Sequence, residues 1–393
     1  LFFGIAAVLI TQCMDIRSVH SWDKAFYILG LVTLGMMFCF GIDQKGAVRS
    51  VGGFQPVEIC KIGTVMGLCA VIYTRDDFFR IFSKKWNVQV IRFWVCFLLI
   101  CVMALPVASQ NLSSAIIIVL SSFGVMFMGK VDGKCLWWTV GVGLVLGLLF
   151  LFVLRLNYDS YPRDANGERI ETVDSSAQNE GGVFASAKKM WRRLDTWSER
   201  VWGSSNKKLW EEDIKGKKSQ ELCAHMALVN GSPLGRFVGR SRLRDFLPEA
   251  YSDYIFAIIF EEWGPLGALF VLALYISFFV RCFLLTKMTE DPYIRLVIMG
   301  LSLVILIQAL IHIGVCTGAM FVTGQPLPLI SRGGSSIIGT SISFGIILAL
   351  SRIIRREQES RLAPAAVSDA ETSALDNEIS VEEGISQITK SQQ

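Results

Sequence analysis

The sequence predicts an all-α protein that crosses a membrane several times. Apolar residues make up 52% of its 393 positions, and they gather into runs close to the ~20 residues that a helix needs to cross a bilayer. Short polar loops separate the runs, and the charge of these loops alternates along the chain. Runs and alternation together predict about nine transmembrane helices with one large extracytoplasmic loop.

Nine apolar runs are the candidate membrane spans. In chain order they cover 1–14, 25–42, 54–73, 88–105, 112–128, 136–154, 254–285, 296–321 and 337–354. The first run is short for a crossing, and the chain opens on Leu rather than Met. We therefore expect a further span before it, which would make ten helices in the full protein. The run 254–285 is longer than one upright crossing, and Gly264 and Pro265 predict a kink in it.

The orientation follows from the distribution of Lys and Arg, which concentrate in cytoplasmic loops. The basic loops are 17–24, 75–92, 130–134, 281–295 and 352–356. The loops that are poor in Lys and Arg are predicted to face outward, and they are 43–53, 106–111 and 322–336. The long segment 155–252 is also predicted to face outward, since its length exempts it from the charge rule.

Two stretches depart from the pattern of spans and short loops. Within the outer loop, apolar residues recur at helical spacing over about 184–201, with Lys and Arg off that stripe. This predicts an amphipathic helix that lies on the outer membrane surface or packs on the protein itself. Residues 355–393 are polar and lack apolar periodicity, so we expect a disordered cytoplasmic tail after a transmembrane domain of 1–354.

The composition also argues against several classes of protein. Most of the ten cysteines lie inside apolar runs without CxxC pairs, which indicates core residues rather than a disulfide framework. The three histidines are too scattered for a zinc motif. A net charge of +4 is small, and nothing in the sequence suggests nucleic acid.

Asp253 is the candidate catalytic residue. It ends the long polar loop directly before an apolar run, so its carboxylate is expected to be solvated on one side and desolvated on the other. Such a carboxylate can accept a proton or stabilise a developing positive charge. The alternative is a structural Asp that caps the following helix.

Other charged and polar residues fall within or near the spans. Glu58 and Lys61 are three apart on one helical face, either as a pair that neutralises itself or as a charged wall for a polar headgroup. Gln308 and His312 also share a face, and we expect them to link helices inside the bundle.

The outer loops carry a few cations that run against the topological bias. Arg49 and Arg332 are two of them, and an anionic ligand at the outer leaflet would explain their position. Ordinary exposed cations are the competing interpretation.

Four stretches together resemble the SEDS family of bacterial cell-shape, division and sporulation proteins, which are polytopic peptidoglycan glycosyltransferases. GAVRSVGGFQPVEICK resembles G-A-x-R-W-I followed by F-Q-P-S-E-x-x-K, and LPEAYSDYIFAIIFEEWG is similar to L-P-E-A-H-T-D-F-I-F-A-x-I-x-E-E-x-G. WRRLDTW resembles an amphipathic segment of the outer loop, and TGQPLPLISRGGSS resembles T-G-x-x-L-P-F-I-S-Y-G-G-S-S. The chain departs from the family pattern at Ser50, Val57, Asn111, His312 and Arg332.

The resemblance implies roles for particular residues. It places Asp253 on the acid that is regarded as catalytic in the family. The residues that it implies for substrate binding are Arg49, Gln55, Glu58, Lys61, Gln325, Ser331, Arg332, Gly333, Gly334 and Ser335.

The resemblance also implies a reaction and its setting. Lipid II, a disaccharide-pentapeptide on undecaprenyl pyrophosphate, would be polymerised at the outer face of the bacterial cytoplasmic membrane, with Asp253 as general base. A divalent cation, Mg²⁺ or Mn²⁺, could assist. The implied partners are a class B penicillin-binding protein, other divisome proteins and membrane lipid. The long outer loop and the tail favour a division-type (septal) member over an elongation-type one. The alternatives are a lipid II flippase and a non-catalytic division scaffold.

Overall fold

The computed structural model describes most of the chain as helix. The described residues are 2–12, 16–40, 42–44, 47–50, 55–82, 87–160, 197–198, 219–244, 246–247 and 250–360. The helices are α1 (Phe2–Gln12), α2 (Ile16–Phe40), α3 (Val57–Tyr73), α4 (Asp76–Phe82), α5 (Val88–Gln110), α6 (Leu112–Met128), α7 (Gly133–Asp159), α8 (Ser219–Gly231), α9 (Ile255–Thr286), α10 (Pro292–Cys316) and α11 (Gly334–Ser360). A two-stranded antiparallel hairpin, β1 (Ile42–Gln44) and β2 (Ala47–Ser50), precedes α3.

The predicted all-helical membrane architecture is confirmed within the described residues. Each of the nine predicted apolar runs coincides with one helix. Among the residues that the structure describes, six helices are long and apolar enough to cross a membrane by themselves: the Trp22–Cys39 part of α2, and α5, α7, α9, α10 and α11. The number of crossings therefore stays a prediction, while a multi-pass helical protein is established.

The structure corrects several of the sequence-based boundaries. Helix α5 continues through Pro106 to Gln110, where a loop at 106–111 was predicted, and α10 ends at Cys316 rather than at residue 321. Helix α2 begins at Ile16, well before the predicted start at residue 25. Its polar first turns are compatible with helix because Asp23 is 1% exposed and accepts a hydrogen bond from the Tyr293 hydroxyl of α10. The segment between α2 and α3, expected to be a loop, contains the β1–β2 hairpin.

Helix α3 lies at the centre of the bundle, with α2, α5, α6 and α10 packed around it. Glycine allows α2 to cross it closely, because a Cβ at Gly63 would lie 2.6 Å from the Phe26 carbonyl oxygen. Buried Cys60, Val65 and Leu68 fill the surrounding core. Helix α7, in contrast, lies at the periphery and presents apolar side chains outward along its length, as lipid contact requires.

Helix α9 is broken near its Asp253 end, as the sequence predicted. Gly264 has φ 69° and ψ −170°, and Pro265 has no N–H to donate to the Glu261 carbonyl. Backbone N–H groups of the segment after α8 bond instead to the carbonyls at the break. Arg236 donates to the Glu261 carbonyl and Phe237 donates to the Glu262 carbonyl, each at 2.9 Å. The break is therefore hydrogen-bonded by a second segment.

Two other predicted elements lie largely outside the described residues. Of the predicted amphipathic helix 184–201, the structure describes Trp197 and Ser198, which are helical. The Trp197 ring packs edge-on against Phe150 of α7, with 5.9 Å between ring centroids. The predicted tail is described up to Ser360, where α11 ends, and residues 361–393 lie outside the described part.

Candidate functional site

Asp253 lies at the entrance to α9, one residue before the N-cap residue Tyr254. It therefore does not occupy the cap position that the structural alternative assigned to it. Asp253 is half-buried, and its Oδ1 accepts a hydrogen bond of 3.0 Å from the Ser252 hydroxyl.

The Asp253 side chain packs against residues 317–333, called here the α10–α11 loop. Gly324 has φ +64°, and a Cβ at this position would lie 3.2 Å from Asp253 Oδ2. Glycine at this position therefore serves two purposes, since it adopts the left-handed conformation and lets the backbone approach the carboxylate.

A second set of contacts fixes the α10–α11 loop to the turn that precedes Asp253. The Ser331 hydroxyl donates to the Ser252 carbonyl at 2.6 Å and accepts from the Leu327 N–H at 2.7 Å. The Arg332 N–H donates to the Tyr251 carbonyl at 2.7 Å. The two segments that surround Asp253 are thus one hydrogen-bonded unit.

Helix α10 supports this loop from below through the two polar residues that the sequence predicted to link helices. Gln308 Nε2 donates to the Pro326 carbonyl at 3.0 Å, and His312 Nδ1 lies 2.7 Å from the Gln325 carbonyl. Because a carbonyl only accepts, this geometry assigns the proton to Nδ1 of His312. Gln308 links two helices as predicted, since its Oε1 accepts from Lys61 of α3. His312 instead bonds to the loop that follows its own helix.

Helix α6 contributes a further pair of contacts to the same loop. The Ser113 hydroxyl donates to the Thr323 carbonyl at 3.2 Å, and Gln325 Nε2 donates to the Ser114 hydroxyl at 3.0 Å. Gln325 is only 4% exposed. In this conformation its side chain therefore supports the loop rather than a bound ligand.

The Glu58–Lys61 pair is buried and connects to the site through Gln308. Lys61 Nζ lies 2.9 Å from Glu58 Oε1 and donates to Gln308 Oε1 at 2.6 Å. Lys61 is 1% exposed and Glu58 is 6% exposed. The geometry favours the pair that neutralises itself over the charged wall, and it connects α3 through Gln308 to the Pro326 carbonyl.

The remaining predicted site residues fall into three groups. Gln55, Arg332 and Gly334 are exposed, and Gly333 is half-buried. Ser331 and Ser335 are buried at 2% and 7% exposure. Arg49 lies on β2, and its side chain is outside the described residues. Ser331 and Arg332 therefore bond to the turn that precedes Asp253, and Lys61 reaches the same loop through Gln308.

The sequence did not single out two residues that contact this unit. Cys316 is fully buried, and its thiol lies 3.7 Å from the Asp253 carbonyl oxygen and 3.5 Å from His312 Nε2. Its four-residue spacing from His312 was the available signal. The Tyr275 hydroxyl of α9 donates to the Pro328 carbonyl at 2.5 Å, and a Tyr inside an apolar run was the corresponding signal.

Nothing in the described part of the chain forms a cluster of three or more metal-ligating side chains. No group of His, Cys, Asp and Glu of that size comes together among these residues.

Helices of membrane-spanning length around a half-buried carboxylate define a multi-pass membrane protein with a polar site at one end of its bundle. A family model described as cell cycle protein, covering FtsW, RodA and SpoVE, matches residues 1–180 and 200–356. The chain belongs to the FtsW/RodA/SpoVE family.

Individual relatives agree with this assignment. The chain is 25% identical over 353 residues to "Peptidoglycan glycosyltransferase MrdB" of Escherichia coli (strain K12), covering 88% of this chain and 82% of that protein. It is 26% identical over 355 residues to "Probable peptidoglycan glycosyltransferase FtsW" of Geobacter metallireducens, with the same coverage. A solved structure concerning polymerization and crosslinking by a peptidoglycan synthase complex contains a chain of similar fold. Its TM-score is 0.60 at 21% identity, covering 90% of this chain and 87% of that one.

Proposed function

We propose that this protein is a peptidoglycan glycosyltransferase that polymerises lipid II. The observation that carries the proposal is the half-buried Asp253 carboxylate, held by Ser252 and packed against the α10–α11 loop. Family membership and the glycosyltransferase names of its relatives support the same activity.

In the proposed reaction, Asp253 is the general base. It accepts the proton of the acceptor sugar's 4-hydroxyl group while that oxygen attacks the anomeric carbon of the donor. The bond from this carbon to the pyrophosphate oxygen breaks, and its electron pair leaves with undecaprenyl pyrophosphate. A correctly placed base contributes about 10²–10⁴-fold to such a step.

Cations of the outer loops would stabilise the charge that develops on the pyrophosphate. Arg332 is exposed on the α10–α11 loop and Arg49 lies on β2, so both could meet a ligand that approaches from this end. Lys61 is buried, and we assign it to holding the loop through Gln308. Mg²⁺ or Mn²⁺, if bound near Asp253, would neutralise the leaving group further.

The wider setting is part of the proposal. We infer nine crossings in this chain, a large extracytoplasmic loop at 155–252, and Asp253 at the outer face of the bacterial cytoplasmic membrane. Residues 355–393 would be a cytoplasmic tail. We propose septal synthesis with a class B penicillin-binding protein and other divisome proteins as partners, and the fold shared with a chain of a peptidoglycan synthase complex supports the first of these.

Polymerisation of lipid II by the purified full chain with its partner transpeptidase tests the proposal. Asp253→Asn removes the base and should lower the rate at least 100-fold. Asp291→Asn is a matched control, because Asp291 caps α10 through a bond of 2.9 Å to the Tyr293 N–H, and Asn caps equally well. This control should retain the full rate.

Full activity of well-folded Asp253→Asn protein would refute the role of general base. Two further outcomes would favour the alternatives. Translocation of lipid II in vesicles without polymer would indicate a flippase. Normal growth supported by a variant without any polymerase activity would indicate a scaffold.

A further inference from the structure

The turn that covers the break in α9 exposes three large apolar side chains. Leu234, Phe237 and Val238 are 81%, 76% and 66% exposed. The turn follows α8 and lies within the segment that the sequence assigned to a large outer loop. Large apolar groups that project together from one tight turn are unusual where a loop is surrounded by water.

The backbone holds Phe237 in this outward position. Its φ of +70° is in the left-handed region, which bulky residues rarely adopt, and Gly235 and Gly239 on either side are also left-handed. The bond from its N–H to the Glu262 carbonyl fixes this conformation. Strain of this kind persists where the surroundings impose it, often at functional positions. The fold therefore fixes the backbone conformation at Phe237, whose ring is 76% exposed.

The turn lies at the level where α9 would leave the hydrocarbon core. It contacts the break directly, since a Cβ at Gly235 would lie 2.5 Å from the Gly264 nitrogen. The continuous helix from Pro265 to Arg281 is about 24 Å long at 1.5 Å per residue, which spans most of the ~30 Å thickness of the core. Trp263 is 58% exposed and Arg281 is exposed, and both residue types are typical of membrane interfaces.

Two exposed arginines follow the apolar turn, and hydrogen bonds fix their segment to α9. Arg240 and Arg242 are exposed, and their segment is attached to α9 through Glu261, which is fully buried. The Ser241 hydroxyl donates to Glu261 Oε2 at 2.5 Å, and the Arg242 N–H donates to Glu261 Oε1 at 3.2 Å. An apolar tip beside cations is the pattern of a segment that binds the surface of an anionic membrane.

We propose that the turn 234–238 is a membrane anchor. Leu234, Phe237 and Val238 insert among the acyl chains of the leaflet at the Asp253 end of α9, and Arg240 and Arg242 bind phospholipid phosphate groups with a preference for anionic lipid. The anchor fixes the height of the segment that leads to Asp253. It does not depend on the proposed transferase activity.

Photo-crosslinking in lipid nanodiscs tests the insertion of the turn. Benzoylphenylalanine replaces Phe237 in the full chain, so that an aromatic group stays in the same backbone conformation. Leu269 on α9, which is 60% exposed, is the lipid-facing reference, and exposed Glu357 is the polar reference. We expect lipid adducts at position 237 to match those at 269 and to exceed those at 357 by at least about tenfold.

Lipid adducts at 237 no higher than at 357 would overturn the anchor. Adducts to a co-purified protein in place of lipid would do the same, and would indicate a docking surface for a partner.

A second measurement tests the arginines with equimolar phosphatidylglycerol and phosphatidylcholine in the same nanodiscs. Each arginine near the surface is worth about a fivefold preference for anionic lipid. The adducts at 237 should therefore favour phosphatidylglycerol, and Arg240→Gln with Arg242→Gln should bring the ratio close to one. An unchanged ratio in the double variant would overturn the role of the arginines, while the adduct yield at 237 would still report on insertion.

Discussion

Lys61→Met tests whether the buried Glu58–Lys61 pair holds the site together. Methionine has a similar length and is apolar, so it fills the space of the lysine side chain without its charge. The substitution leaves the Glu58 carboxylate, with a side chain only 7% exposed, without its cation. It also removes the ammonium group that donates to Gln308 Oε1 at 2.6 Å. Gln308 in turn donates to the Pro326 carbonyl of the α10–α11 loop.

The expected cost follows from the burial of both partners. Removal of one member of a buried ion pair destabilises a protein by about 3–5 kcal/mol, because the other charge stays behind uncompensated. We therefore expect the free energy of unfolding in detergent micelles to fall by about this amount in Lys61→Met. Lipid II polymerisation should fall as well, since the loop beside Asp253 loses its support.

The double variant Glu58→Gln with Lys61→Met is the matched control. It removes both charges, and a neutral replacement of a buried pair is often tolerated. Most of the lost stability should therefore return, which gives a coupling free energy of at least about 2 kcal/mol in the double-mutant cycle. A loss below about 1 kcal/mol in the single variant, or a double variant as unstable as the single one, would refute this reasoning.

Three further substitutions test the break in α9 and the α10–α11 loop. Gly264→Ala places a Cβ at a residue with φ +69°, 2.8 Å from the Leu234 carbonyl carbon. The free energy of unfolding should therefore fall by about 1–3 kcal/mol. Gly143 has open space around it, so Gly143→Ala is the control and should change the free energy of unfolding little. Ser331→Ala removes two hydrogen bonds of a buried hydroxyl and should cost about 1–3 kcal/mol, while an unchanged melting curve would contradict its role. His312→Leu should lower the rate of polymerisation. His312→Asn keeps an N–H donor for the Gln325 carbonyl and should retain most of the rate. Equal rates for the two variants would argue against a role for the hydrogen bond from His312 to Gln325.

The positions of the helices could largely be predicted from the sequence, because membrane spans are local features of composition. The break at Gly264 could be predicted for the same reason, since Pro265 lacks an N–H whatever its surroundings. The start of α2 was placed too late, because the buried contact of Asp23 with Tyr293 joins residues that are far apart in the chain. The β1–β2 hairpin was missed, since its residues carry no alternating pattern.

The candidate site could be predicted in part. The resemblance singled out Asp253 and the loop motif, and the residue spacing indicated the polar links at Gln308 and His312. The burial of Gln325 and Ser331 was not foreseen. A polar side chain is free to bind a ligand only if no neighbouring backbone carbonyl or N–H group bonds to it first. Which backbone segment lies beside the side chain is set by the tertiary structure and is not visible in the sequence.

The sequence by itself determined that this chain is helical, crosses a membrane, breaks α9 at Gly264 and carries an acid where α9 begins. These properties follow from apolar runs, from missing donors and from the order of residues along the chain. Only the tertiary structure decided that Lys61 bonds to Gln308, 247 residues away, and that Gly324 lies against the Asp253 carboxylate. The physical reason is that a buried polar group without a hydrogen bond is costly, and packing of the bundle decides which distant segment supplies the partner.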